Sequence, residues 1–157
     1  MNSLKIALFS LSLLSSAVMA ADDPQTVVNN YMAAWNAHKA SQASHYLAED
    51  VVYYDAATGT PVKGREKAEK DVIGAFIRAV PDLQWKMTSR PVFDNNTIAF
   101  QWAFSGKNSG EWAGTPATNN QIKFEGVSFI KVNEGKITYQ GDYYDSKKLD
   151  AELQKKK

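Results

Sequence analysis

Cysteine is absent from the 157 residues, and histidine occurs only at positions 38 and 45. The first absence excludes a disulfide framework, thiolate metal sites, a lipid anchor on sulfur and a cysteine nucleophile. The scarcity of histidine argues against a multi-histidine zinc or iron site. An excess of one charge is lacking too. The 18 Lys and Arg balance 17 Asp and Glu to a net +1, which gives no electrostatic footprint for nucleic acid or an acidic membrane surface. With 44% hydrophobic residues the chain is too apolar for disorder, and its length fits a single domain. Aromatic rings are plentiful, at 4 Trp, 7 Tyr and 7 Phe.

Residues 1–20 read as a targeting segment. Lys5 is the only charge before Asp22, and behind it run Ile6-Ala7-Leu8-Phe9, Leu11, Leu13 and Leu14. Small residues follow, and Val18-Met19-Ala20 fits a signal-peptidase site cut between Ala20 and Ala21. A spanning helix needs about 20 apolar residues; this stretch is shorter and interrupted by serines. The expectation is a soluble periplasmic or secreted protein without a membrane anchor, its single domain occupying residues 21–157.

Within that domain Asp22-Asp23-Pro24 starts a helix, and Val27, Val28, Tyr31, Met32 and Trp35 recur at helical spacing to about Ala37. A short second helix is expected over 41–47, then a β-rich run Val51-Val52-Tyr53-Tyr54 ended by Asp55 and the Gly59-Thr60-Pro61 turn. Gly64 opens a third helix that Pro81-Asp82 ends. Beyond it, Leu83, Trp85 and Met87, then Ile98, Phe100, Trp102 and Phe104, alternate with more polar residues as half-buried strands do. A polar connection spans 106–120. Strands over 122–132 and 136–144 flank the turn Asn133-Glu134-Gly135, and a short helix over 147–153 ends the pattern. Helices first and a strand meander second describe an α+β domain with helices packed on one face of a curved sheet.

Three passages resemble the SnoaL-like polyketide cyclases. They are Gly64-Arg65-Glu66 with a helix leading to Ala79-Val80-Pro81-Asp82-Leu83, the loop Gly110-Glu111-Trp112-Ala113-Gly114-Thr115-Pro116-Ala117-Thr118, and Gly135-Lys136-Ile137 running on to Tyr143-Tyr144-Asp145. The resemblance covers nearly all of residues 24–153. It implies the nuclear transport factor two-like fold, a cone of curved, mixed or antiparallel sheet with N-terminal helices on its concave face around an apolar pocket. It also implies a choice among cyclase, isomerase, hydrolase and non-catalytic binding roles, since fold alone does not fix chemistry. Where those cyclases carry a histidine before the loop, this chain has Asn108. Asparagine cannot relay a proton near neutral pH, which argues against the aldol cyclisation of the family.

The candidate catalytic residues are Asp145, Asp55 and Asn108. In the last strand Ile137, Tyr139, Gly141, Tyr143 and Asp145 share one face if no bulge intervenes, which puts Asp145 in phase with the pocket and Asp142 outside. Asp145 also suits the N-cap of the last helix, and Asp55 suits a turn start as well as a pocket mouth. Candidate substrate-binding rings are Trp35, Tyr54, Trp102, Trp112, Tyr139 and Tyr143, the alternative for each being core packing. Trp112, in a glycine-flanked loop, reads as a lid or a partner contact. His38 and His45 read as surface residues.

Three functions stay open: a metal- and cofactor-independent acid/base enzyme acting on a small hydrophobic carbonyl compound, a binding protein for such a molecule, or an interaction domain. A homodimer through the outer sheet face is expected with any of them. An ionisable group facing the cavity favours the first, and a cavity filled by its own side chains favours the third.

Overall fold

The structure, a computed structural model, describes residues 23–155; the targeting segment expected at 1–20 lies outside them. Asp23 caps the first helix, its Oδ1 accepting the Gln25 and Thr26 N–H groups at 3.0 and 3.1 Å. That helix, α1 (Pro24–Asn36), turns Val27, Val28, Tyr31, Met32 and Trp35 inward. It is followed by α2 (Ala40–Ser44) and then β1 (Leu47–Asp55) and β2 (Val62–Lys63). The third helical segment runs as α3 (Arg65–Lys67), a π-helical stretch Ala68–Ile73 and α4 (Gly74–Ala79). The wider turn shows at its exit, where Gly74 N–H donates to Glu69 O, five residues back.

The remaining elements are β3 (Gln84–Met87), β4 (Val92–Asp94), β5 (Thr97–Lys107), β6 (Gln121–Asn133), β7 (Lys136–Tyr144) and α5 (Ser146–Leu153). The seven strands form one sheet in the order β2-β1-β7-β6-β5-β3, with β4 also paired to β5. All pairings are antiparallel except β1 with β7, which are parallel. Helix α1 packs against β3, β5 and β6, so the expected α+β arrangement of helices on a mixed sheet is what the chain adopts. The β6–β7 turn has φ of +50° at Glu134 and +73° at Gly135, the two positive values of a tight hairpin.

Two strands escaped the sequence reading. Strand β2 has two residues, and all three residues of β4 are exposed, so neither shows an alternation. A third difference matters more. Strand β7 pairs Val132 with Ile137 but Lys131 with Tyr139, so Ile137 and Thr138 together oppose one step of β6. This β-bulge shifts the phase of everything after it by one residue. The residues that turn inward are therefore Gln140, Asp142 and Tyr144, not Tyr139, Tyr143 and Asp145.

Candidate active site

The inward face of β1 carries Tyr53 and Asp55, and that of β7 carries Gln140, Asp142 and Tyr144. The parallel register sets Asp55 directly beside Asp142 and Tyr53 beside Gln140, on strands about 4.8 Å apart. The hydrogen bonds cross between the strands. Tyr53 Oη donates to Asp142 Oδ2, and Tyr144 Oη donates to Asp55 Oδ2 at 3.0 Å. Asp142 also accepts from Ser128 Oγ on β6 at 2.5 Å and from Gln140 Nε2 at 3.0 Å. The main-chain N–H of Ala57 holds the other oxygen of Asp55 at 2.8 Å.

A cavity opens against this pair of carboxylates, walled by Trp35, Tyr53, Phe76, Trp85, Trp102, Phe104, Phe124 and Tyr144. Most of these rings meet edge to face. Trp35 and Trp85 have centroids 5.6 Å apart, Trp35 and Phe76 5.9 Å, and Trp102 and Phe124 5.7 Å, the arrangement favoured by ring quadrupoles. The free volume, open mouth included, is about 360 Å³, of which about 30 Å³ admits the centre of a water-sized molecule. One or two waters fit without movement; a ring compound needs the side chains to part.

Burial sets the electrostatics. Asp142 is 7% exposed, and loss of water pushes its carboxyl up to about 6 from the usual 3.8. Its three hydrogen-bond donors hold it down, and neighbouring Asp55 adds to the rise. The same burial raises the Tyr53 hydroxyl well above its usual range, helped by the charge of Asp142. The cavity wall includes no Lys, Arg or His among the described residues. Among the described residues no group of three or more His, Asp or Glu is placed to hold a metal ion. A buried carboxyl in a ring-walled space is able to exchange a proton with a molecule bound there.

Of the residues expected at a site, Asp55, Trp35 and Trp102 line this cavity. Asp145 does not. It is exposed and caps α5, its Oδ1 accepting Lys147 N–H and Lys148 N–H at 3.0 and 3.2 Å. Tyr54, Tyr139 and Tyr143 lie on the outer face with Phe129. The rings of Tyr54 and Tyr143 are 5.7 Å apart, and Tyr139 and Tyr143 hydroxyls meet at 3.4 Å. Gly141 is bare for these rings, since a Cβ there would meet Tyr139 Oη at 2.6 Å.

Asn108 is fully buried but belongs to the loop. Its amide donates to Ala79 O and Gly110 O, and its Oδ1 accepts the N–H and hydroxyl of Thr118. Every group it could offer a substrate is used in knitting the 108–118 loop to α4. Trp112 stands behind the wall, its ring 5.0 Å from Phe76 and 6.4 Å from Phe104. His38 holds Leu83 O at 2.9 Å, and His45 is exposed.

The residue assigned to the wrong side is Asp142, expected outside the pocket and found inside it. Its sequence signal is an alternation of polar residues, Gln140-x-Asp142-x-Tyr144, which reads as a solvated face until Ser128 and Tyr53 are brought against it.

The sequence profile of the SnoaL-like polyketide cyclases matches residues 25–153. No curated protein matches the chain. Similar solved structures include a protein described as a SnoaL-like polyketide cyclase from Jannaschia sp. CCS1. It has a TM-score of 0.75 at 11% identity, over 85% of this chain and 93% of that one. A protein described as a polyketide cyclase from Pseudomonas putida KT2440 gives 0.73 at 17% identity, over 85% and 99%. TsrD from Streptomyces laurentii gives 0.71 at 20%, over 83% and 93%. At these identities the structures speak for the fold, and the profile for the family. A curved sheet under N-terminal helices and a profile match over residues 25–153 lead to one assignment: the chain belongs to the SnoaL-like polyketide cyclase family.

Proposed function

We propose that the protein is an acid/base enzyme of the cyclase or isomerase type, acting on a small hydrophobic carbonyl compound with Asp142 as the proton-transfer group. The observation that carries this reading is the Asp142 carboxyl buried beside Asp55 inside a wall of aromatic rings, where loss of water pushes it up to about 6. A group with that pKa is populated in both forms near neutrality, the condition for efficient proton transfer. Asp55 beside it disfavours a second charge, so a proton gained by the site is retained until substrate takes it.

The reading is tested by hydrogen–deuterium exchange at the α-carbon of 1-indanone and ethyl acetoacetate in D2O, followed by NMR. The expected result is exchange that saturates with ketone and falls by about a hundredfold or more in Asp142→Asn. Exchange no faster than buffer, or unchanged in the variant, rejects it. The family histidine position, Asn108, takes no part in this scheme.

The sequence of residues 1–20 supports export to the periplasm or medium with cleavage after Ala20, and N-terminal sequencing of the exported protein tests it. The exposed apolar outer face of the sheet supports a homodimer.

A further inference from the structure

A cavity with room for little more than water admits a larger molecule only if part of its wall moves. How each wall residue is held decides which part that is. All of them are buried except Phe76 on α4 and Tyr144 at the end of β7, which are half-buried. Those two rings stand where the cavity meets water. Tyr144 is fixed there by its hydrogen bond to Asp55 and by Phe124 and Trp102, whose rings lie 5.1 and 6.0 Å away. Phe76 has no polar tether. Rings alone hold it: Trp35 and Phe104 at 5.9 and 5.7 Å, and Trp112 of the 108–118 loop at 5.0 Å.

The loop that brings Trp112 has a firmly tied base. Buried Asn108 bonds Ala79 O, Gly110 O and Thr118. The N–H groups of Ser109 and Gly110 both donate to Ala79 O at 3.1 Å, and Gly110 lies so close to α4 that a Cβ would stand 2.0 Å from Arg78 O. Beyond Gly110 such ties stop. Between Glu111 and Ala117 the only main-chain hydrogen bonds among the described residues are the two that pair Trp112 with Thr115. They close a turn with φ of +47° at Ala113 and +83° at Gly114. A Cβ at Gly114 would meet nothing within 4 Å, so the tip stands clear of the body. One ring, Trp112 on Phe76 and Phe104, fastens the tip to the domain. An element with so few buried contacts is among the first to open locally.

We propose that residues 108–118 form a lid hinged at Asn108, and that the Trp112–Phe76 contact is the gate through which a ring-sized molecule reaches Asp55 and Asp142. When the tip lifts, Phe76 loses its outer support and is free to turn out of the wall, while the base keeps its hydrogen bonds. This goes beyond the acid/base reading: it concerns access to the same cavity and requires no proton transfer.

The chain has no cysteine, so one introduced thiol reports on the cavity alone. Asp142→Cys places it in the wall at close to the native side-chain size, and Asp55→Cys is a second reporter. The uncharged ring reagent 4,4′-dithiodipyridine is reacted with each in three backgrounds: the native loop, Trp112→Phe and Trp112→Ala. Trp112→Leu replaces Trp112→Ala should the latter fail to fold. Urea unfolding gives the global stability of every variant.

Trp112→Ala is expected to speed modification about tenfold, the factor that loss of an edge-to-face ring pair corresponds to. Trp112→Phe, which keeps a ring on Phe76, is expected to stay within about threefold of the native loop. Equal rates in all backgrounds, or rates that rise only in step with the loss of global stability, overturn the proposal. Faster modification in Trp112→Ala, with no α-carbon exchange by the native chain, upholds the lid and removes the enzymatic reading. Exchange by the native chain with equal modification rates does the reverse.

Discussion

Asp142 has to be considered in both the folded and the unfolded chain. Unfolded, its carboxyl titrates near the usual 3.8; folded, near 6. Between those values the folded chain binds more protons, so stability from this group is greatest below about pH 4. It declines as pH rises through the interval and is fully lost above about 6. Two pKa units correspond to about 3 kcal/mol, an upper bound for a group so thoroughly hydrogen-bonded. Asn keeps the shape and cannot ionise. The melting temperature of Asp142→Asn relative to the native chain is therefore expected to rise between pH 4 and pH 7 in thermal unfolding; a constant offset across that range counts against the buried charge. Gly126→Ala tests the neighbouring wall. Its new methyl overlaps Trp102 Cζ2 at 2.4 Å, and overpacking of that kind costs about 1–3 kcal/mol, measured by chemical denaturation. A neutral result means the indole swings aside at no cost.

At the scale of elements, what a sequence discloses is set by what repeats. Helix α1 was legible because Val27, Val28, Tyr31, Met32 and Trp35 keep a helical spacing, and β5 because Ile98, Phe100, Trp102 and Phe104 alternate. Trp35 and Trp102 were reached by that route, and Asp55 as the residue that ends the β-rich run Val51-Val52-Tyr53-Tyr54. The bulge at Thr138 was not, because one extra residue alters no local composition yet reverses the facing of Gln140 to Tyr144. With it went Asp142, and Tyr139, Tyr143 and Asp145 were assigned to the wrong side. Deleting Thr138 tests this directly. Without the extra residue Ile137 and Tyr139 become neighbours opposite Val132 and Lys131, and Gln140, Asp142 and Tyr144 keep their inward facing. The expected outcome is a chain that still unfolds cooperatively by circular dichroism, and a deletion that abolishes cooperative unfolding contradicts the assigned register. At the C-terminal end, Asp145 works through α5 alone. Asp145→Ala is expected to lose about 1 kcal/mol, and Asp145→Asn only a few tenths, because asparagine caps nearly as well. A loss in α-carbon exchange by Asp145→Asn at unchanged stability returns that residue to the chemistry.

At the scale of the molecule the sheet has two unlike faces. The inner one is covered by α1 and the helical segments after β2. The outer one leaves Phe129 47% and Tyr143 42% exposed, with their rings 5.9 Å apart, and Tyr54 and Tyr139 beside them. A sheet face turned to water ordinarily alternates to polar residues, and a contiguous aromatic patch of this kind supports the proposed homodimer interface. Along β6 the outward positions read Lys123, Glu125, Val127, Phe129 and Lys131, apolar toward the middle and charged at both ends. A second copy turned by a two-fold axis brings apolar centre against apolar centre and can set Lys against Glu at the rim. Phe129 is the position to change, because its side chain supports little within one chain. Phe129→Lys is expected to keep the native melting temperature to within about 0.5 kcal/mol of stability. It should also weaken self-association by about a hundredfold, the effect of removing an aromatic anchor from an interface centre. Sedimentation velocity separates the outcomes: a dimer for the native chain and a monomer for Phe129→Lys supports the pairing. A native chain that stays monomeric at high concentration, or a variant that sediments unchanged, removes the outer face as the interface.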